Sequence, residues 1–305
     1  MTLETVELAA FDDHTIKTFD WRPANNEVRA VIQILHGMGE HAARYDRFAS
    51  ACNLRGVAAV SHNHRGHGQP DESGHFDDED GWEKVVADVL QVRRYITETY
   101  PQRPVILLGH SMGSFIAQSV VQRHGNDIAA LILSGSTLAN RIELYASLFA
   151  ATAFKSISGK RAKSHFLNQA GLGNFNRPFR PSRTDYDWLS RDETEVDHYV
   201  ADPLCGGLFS NQFWIDLTAG LIEVSDHRSI GLIRHDLPIL ITGGEVDPVG
   251  GREGLTKLAE AYRRTGHDAV TLKIYADARH EMLNETNRDE VTAEIISWIE
   301  QILAA

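Results

Sequence analysis

The chain has 305 residues, 42% of them hydrophobic and 24% charged, a globular composition that excludes disordered and fibrous classes. Its formal net charge of -12 excludes a broad phosphate-tracking surface, so no nucleic-acid partner is expected, and it argues against general attraction to anionic lipid. Two cysteines, Cys52 and Cys205, make neither a disulfide framework nor a zinc spacing. The N-terminus lacks the charged and apolar regions of a signal peptide, and no apolar run is long enough to span a bilayer. These features predict a reducing, cytoplasmic location.

Residues 5–21 alternate in two short pieces around "DDHT", which predicts a β-hairpin. "VRAVIQILHGMG" reads as a buried strand ending in a glycine-bracketed loop, and a helical stretch then stops at Gly56. "VAAVSHNHRGHG" is a second strand and loop. The acidic run at 77–80 leads into a helix, since anionic residues favour a helix N-terminus. Apolar residues at Trp82, Val85, Val86, Val89, Leu90 and Ile96 carry the helical period. "PVILL" predicts a strand, "SFIAQSVVQRHG" a helix and "IAALILSGS" a further strand. After residue 230 the pattern resumes with strand "LPILITGG", helix "LTKLAEAYRRTG", strand "AVTLKIYA" and the closing helix "EVTAEIISWIEQIL". Such alternation predicts an α/β fold, a mostly parallel central sheet with helices on both faces. The core is expected in residues 1–135 and 231–305. Residues 136–230 are helical, aromatic and irregular without a clear buried strand, and read as an insertion between two sheet strands.

The chemistry centres on "GHSMG" at 109–113. A buried strand runs into a serine held between Gly109 and Gly113, and a helix follows at once. The order strand, G-x-S-x-G, helix makes Ser111 a candidate nucleophile at a sharp elbow. A serine hydroxyl needs a base within hydrogen-bond reach, and the base needs an acid to fix its tautomer. In an open α/β sheet these groups belong on loops past the carboxyl ends of strands, in the chain order Ser, Asp or Glu, His. Asp247 in "GGEVDPVGG" lies just past a strand and is the expected acid. Asp277, past the last strand, is its main rival. Glu245 sits earlier in the same turn, and Asp236 lies at the wrong strand end. His280 in "ADARHEML" follows the last strand and is the expected base, whereas His267 sits in a turn at the opposite sheet end.

A tetrahedral intermediate needs two backbone N–H donors. One is expected from Met112, at the helix N-terminus, and the other from "HGMGE", where Gly37 and Gly39 open the chain around Met38. "HNHRGH" at 62–67 resembles a binuclear metallohydrolase ligand run, but Gly66 stands where aspartate is needed. The expectation is therefore no metal, with these histidines and Arg65 hydrogen-bonded in a tight loop beneath the oxyanion loop. No P-loop supports nucleotide hydrolysis. A non-catalytic binder on a hydrolase scaffold is the alternative of another class, and it would be expected to have lost a triad member.

Taken together, "ILHGMGEHAARY", "HNHRGHG", "VILLGHSMGS", "GGEVDPVGG" and "LKIYADARHEMLNETNRDEV" resemble the serine α/β-hydrolase superfamily, and within it the monoacylglycerol lipase and lysophospholipase family. The resemblance implies Ser111 as nucleophile, Asp247 as acid and His280 as base. It implies the Met38 and Met112 N–H groups as the oxyanion hole, residues 136–230 as a helical cap, and esters of a single acyl chain as substrates. Ser114 departs from the pattern, because a third glycine often follows the elbow.

The expected activity is cofactor-independent carboxylic-ester hydrolysis, with small-ester and thioester cleavage as alternatives on the same fold. The expected partner is a small lipid or ester molecule, and the oligomeric state is left open. Gly37 and Glu40 are expected at the substrate site; Glu40, His41 and Arg44, just past the oxyanion loop, are expected either to order water or an alcohol group or to form a structural salt bridge. Leu144, Leu148 and Phe149 are expected to roof the acyl chain. The apolar face of "IELYASLFAATAF" is expected to touch a membrane surface transiently.

Overall fold

The computed structural model describes residues 1–24, 27–69 and 74–304. Strands β1 (Thr2–Ala9) and β2 (Thr15–Arg22) form the antiparallel hairpin that the alternation predicts. Next come β3 (Ala30–Leu35), α1 (Asp46–Asn53), β4 (Val57–His62), α2 (Gly81–Thr99), β5 (Val105–His110), α3 (Met112–His124) and β6 (Ile128–Ser134). Five helices follow before the next strand: α4 (Arg141–Ser158), α5 (His165–Asn168), α6 (Glu193–Ala201), α7 (Asn211–Val224) and α8 (His227–Ile230). The chain closes with β7 (Ile239–Gly244), α9 (Gly251–Arg264), β8 (Val270–Tyr275) and α10 (Arg288–Ala304).

The eight strands make one sheet in the order β1-β2-β4-β3-β5-β6-β7-β8. The hairpin joins β4 antiparallel, and every pairing from β4 to β8 is parallel. Side chains alternate between the two faces of a strand. Leu107, Leu131, Leu133, Ile239 and Ile241 join an apolar cluster with α2, α3, α7 and α9. Their neighbours Ile106, Leu108, Ala130, Ile132 and Leu240 join another with α1 and α10. Covered on both faces, β3, β4 and β5 are buried at every residue, which is why they read as unbroken apolar runs. Each such Leu or Ile contributes about 1.5–3 kcal/mol by leaving water.

Register decides where the chemistry can gather. Leu35 pairs with Gly109, His110 with Ser134, Ser134 with Thr242, and Gly244 with Tyr275. The central strands thus end side by side, and the loops after β3, β5, β6, β7 and β8 share one rim, the ligand-binding edge of an open α/β sheet.

The segment between β6 and β7 contains no strand. Its helices start at polar caps: the side chains of Asn140, Asp192 and Ser210 accept from Ile142, Thr194 and Phe213 N–H groups. The segment is not uniformly detached from the sheet. Helix α4 packs on α7, but Phe213, Leu217 and Val224 of α7 belong to the apolar cluster of α2 and α3.

Candidate active site

Ser111 occupies the turn between β5 and α3 at φ 51° and ψ -121°. A non-glycine residue at positive φ costs on the order of 1–3 kcal/mol, and such strain gathers at functional sites. Crowding around the turn holds it in place. A Cβ on Gly109 would lie 2.3 Å from Gly113 O, and one on Gly113 would lie 2.1 Å from Leu35 O, so only glycine fits at both. Ser111 N–H donates to Ser134 O at 2.9 Å, tying the elbow to β6. Ser114, where a third glycine was the family pattern, is fully buried and has its own bonds. Its hydroxyl lies 2.6 Å from Ser111 O and 2.8 Å from Ser136 Oγ.

The loops after β7 and β8 carry Asp247 and His280. Their side chains meet at 2.9 Å, Asp247 Oδ2 to His280 Nδ1, and both are buried. The Val249 N–H donates to Asp247 Oδ1 at 2.9 Å, so both carboxylate oxygens are occupied. Burial alone disfavours the imidazolium of His280. The charge and hydrogen bond of Asp247, with Glu281 and Glu40 behind it, outweigh burial and raise its pKa above the ordinary histidine value. The rival acids are elsewhere engaged. Asp277 is exposed, with its N–H donating to Glu245; Glu245 pairs with Arg252; Asp236 lies near Arg234 at the other sheet end. His267 is bonded to Tyr262 O and Ile233 O, away from the rim.

Ser111 and His280 face one cavity of ≈ 730 Å³. Met38 and Met112 line it as well. Met112 is the first residue of α3, where a backbone N–H lacks an intrahelical acceptor. In the other loop, Gly37 N–H is committed to Glu40 Oε1 at 2.6 Å, which leaves the Met38 N–H as the candidate donor. Glu40 is buried and also accepts from Tyr45 OH at 3.0 Å and Arg44 Nη1 at 2.7 Å. Burial would raise the Glu40 pKa, but Arg44, His110 and these donors lower it overall, so the carboxylate stays charged. Both expectations for this stretch therefore meet in one residue: Glu40 lines the cavity and is held by a salt bridge.

Of the residues expected to roof the acyl chain, Leu144 lines the cavity and the other two do not. Helix α4 turns Leu144, Ser147 and Ala151 inward, at the i, i+3, i+7 spacing. Phe149 falls on the opposite side and is 78% exposed, and Leu148 lies outside the lining. Both are corrected by helical phase, which a run with apolar residues on both faces and Glu143 as its one charge does not reveal. Ile142, Tyr145, Phe149 and Ile157 instead form an exposed apolar stripe. The far wall is apolar, with Leu172, Trp214, Leu217 and Leu221.

Several contacts of the site carry no sequence signal of their own. Trp188, from the inserted segment, packs on His280 with ring centroids 4.9 Å apart. Tyr199 donates its OH to Gly39 O at 2.7 Å. Glu281 binds Arg44 through two bonds of 2.7 Å. Only its position beside His280 could have marked Glu281.

Beneath the loop of Gly37 and Met38 lies the histidine cluster. His36 Nδ1 is 2.8 Å from Gly37 O, and His64 N–H donates to His36 Nε2 at 3.0 Å. The His36–His64 and His62–His64 ring centroids are 4.3 and 4.7 Å apart. Arg65 turns away from this loop to Asp12 and Asp88. Burial keeps these imidazoles neutral. It drives His62 down to about 3 and His67 to about 4, and His36 and His64 well below the usual value.

Known proteins resemble this chain over most of its length. The mouse monoglyceride lipase is 31% identical over 290 residues, covering 93% of this chain and 86% of that protein. A monoacylglycerol lipase of Mycolicibacterium smegmatis is 28% identical, covering 92% of this chain and 90% of its own. The crystal structure of a thermostable carboxyl esterase from Bacillus coagulans in complex with glycerol superposes with a TM-score of 0.91 at 25% identity, over 99% of both chains. Residues 26–287 match the family model Hydrolase_4, described as serine aminopeptidase, S33. The chain belongs to this Hydrolase_4 family, among the lipases and esterases of the α/β-hydrolase fold.

Proposed function

We propose that the protein hydrolyses esters of a single acyl chain, monoacylglycerols or lysophospholipids, through a Ser111–His280–Asp247 triad and an acyl-enzyme. The observation that carries this reading is the Asp247–His280 pair, with His280 facing the same largely apolar cavity as Ser111. Asp247 accepts the Nδ1 proton of His280, so Nε2 is the basic nitrogen. His280 takes the Ser111 proton as Oγ attacks the acyl carbon, and the Met38 and Met112 N–H groups receive the oxyanion. His280 then protonates the departing alcohol. Water, deprotonated by the same histidine, opens the acyl-enzyme and releases the acid. No step requires a cofactor.

Residues 136–230 act as the cap in this proposal. Leu144, Ala151 and Leu217 would contact the chain, while Glu40 and Gly37 stand on the alcohol side. The glycerol held by the Bacillus coagulans esterase, and the glyceride lipases among the relatives, support a polyol leaving group. The exposed stripe of Ile142, Tyr145, Phe149 and Ile157 supports brief contact with a lipid surface. Among the described residues no helix is long and apolar enough to cross a membrane. The free thiols Cys52 and Cys205 support a reducing, cytoplasmic setting.

The test is a panel of monoacylglycerols, lysophospholipids and p-nitrophenyl esters from acetyl to palmitoyl, with a fluorophosphonate label on Ser111. Labelling and a kcat/KM that climbs with chain length are expected. A profile falling steadily from acetyl to decanoyl leaves only a small-ester hydrolase, and an unlabelled Ser111 removes the mechanism.

A further inference from the structure

On the outer side of the oxyanion loop the chain brings together three donors of different chemistry. His41 follows Glu40, and Asp202 and Cys205 come from the turn after α6. One ligand atom of each lies within 4.8 Å of the other two. His41 Nε2 and Asp202 Oδ2 are already 2.9 Å apart, and Asp202 Oδ1 is fixed by the Leu204 N–H at 2.8 Å. The triad uses none of these groups.

We propose that His41, Asp202 and Cys205 form a binding site for a thiophilic divalent cation, zinc first, that fastens the oxyanion loop to the inserted segment. Imidazole, carboxylate and thiolate are a zinc donor set, and sulfur argues against magnesium or calcium. Zinc holds such donors about 2.0–2.3 Å from a common centre and so roughly 3.3–3.8 Å from one another; the His41–Asp202 pair at 2.9 Å must open a little, and any donor as far as 4.8 Å away must close by about 1 Å. Burial first, and then the carboxylates of Asp202, Glu40 and Glu281 against the guanidinium of Arg44, keep the Cys205 thiol protonated in the metal-free protein, so the cation must displace that proton, and those carboxylates offset its charge. There is also a way in, because the Asp202 side chain is 30% exposed while that of His41 is 10% exposed. Binding replaces the Cys205 S–H bond by a sulfur–metal bond and releases that proton to water. His41, whose Nε2–H meets Asp202 Oδ2 in the metal-free protein, gives up that hydrogen bond, shifts its proton to Nδ1 and presents the Nε2 lone pair to the metal. Water completes the coordination.

The site sits on a seam that is already closed by backbone. Gly206 N–H donates to Gly39 O at 2.8 Å, and Tyr199 OH reaches the same oxygen. A metal that draws His41 toward Cys205 pulls on the loop holding Gly37 and Met38. Bound zinc therefore makes the protein harder to unfold and slows ester turnover, reversibly.

Metal-stripped full-length protein, titrated with Co²⁺, tests this without reference to activity. A thiolate-to-cobalt charge-transfer band saturating at one equivalent is expected, and zinc should abolish it. Cys52 is fully buried, so the band reports Cys205. Cys205→Ser should lose the band while keeping its metal-free melting temperature and esterase rate. Asp202→Asn should bind at least ~10–100-fold more weakly, the loss that even outer-shell partners cause. Zinc should raise the melting temperature of the wild type and not of Cys205→Ser. Absence of the band in the wild type, its survival in Cys205→Ser, or equal zinc inhibition in both proteins overturns the site. A failed ester panel with an intact cobalt band would overturn only the proposed activity.

Discussion

The guanidinium of Arg44 grips the carboxylate of Glu281 through two bonds of 2.7 Å, although 237 residues separate them. The same Nη1 reaches Glu40 Oε2 at 2.7 Å, so one cation joins the oxyanion loop to the residue after His280. Removing it leaves two carboxylates buried without their partner. Arg44→Gln is expected to cost about 3–5 kcal/mol of folding stability, as for other broken buried pairs. Urea denaturation measures this, and a loss under ~1 kcal/mol would show that water takes over the role of Arg44.

Ser111→Ala is expected to fold normally and to lose nearly all turnover, because no other group would form the acyl-enzyme. Asp247→Asn is expected to slow turnover by up to ~10⁴ through the wrong imidazole tautomer. Asp277→Asn should be mild, its residue being exposed and distant in role. Steady-state kinetics of the three variants decide the assignment, and a crippled Asp277→Asn with a mild Asp247→Asn would reverse it.

Two pH effects follow from histidine pKa shifts of opposite sign. The base must be neutral to accept a proton, and the His280 pKa lies above the ordinary value. The acid limb of kcat/KM should therefore have its midpoint above pH 6.5. It should move down in Asp247→Asn, where residual activity permits, because the carboxylate that favours the imidazolium is gone. Stability follows the buried cluster instead. His36, His62, His64 and His67 have folded pKa values below the unfolded one, so on acidification the unfolded chain takes up protons first. Stability is then lost as pH falls from about 6.5 toward 3–4. His280, with a raised folded pKa, contributes stability below the unfolded value that fades as pH rises through the folded one. His75, His110 and His267 are lowered in the same sense, so seven histidines oppose one and denaturation midpoints should fall steeply below pH 6; a flat profile from pH 7 to 4 would contradict the buried cluster.

Length preference is expected to follow the inward face of α4. Each methylene buried is worth up to ~0.8 kcal/mol, or about fourfold in kcat/KM, until the cavity is full. Ala151→Phe should shorten the preferred chain by filling the wall, with acetyl ester turnover nearly unchanged. Phe149→Ser should leave dissolved esters alone and slow hydrolysis of vesicle-borne substrate. Should Phe149→Ser change the length profile instead, the outward placement of this ring fails.

How much could be read in advance depended on how local the cause was. The elbow was legible because its strand, its glycines and its helix lie within a few consecutive residues. Asp247 and His280 were legible because each follows a strand on the same rim. Phase along α4 was not, since apolar residues occupy both its faces and the packing partner, α7, lies some sixty residues on. Trp188 reaches the site from a three-residue turn and Tyr199 from the short helix α6, and neither stretch is long enough for a periodicity to announce direction. Nor could composition reveal that α7 would belong to the main core.

That last feature limits how the segment can be exchanged. Phe213 and Leu217 fill space between α2 and α3, so excising residues 136–230 would open the sheet's own apolar cover along with the roof. A graft from another enzyme should be confined to the stretch before Phe209, where the chain still runs above the rim, and α7 should stay with its host. If the segment acts as the proposed cap, substrate range would then be interchangeable over about seventy residues, while the remainder of the segment is as much a part of the foundation as β6 itself.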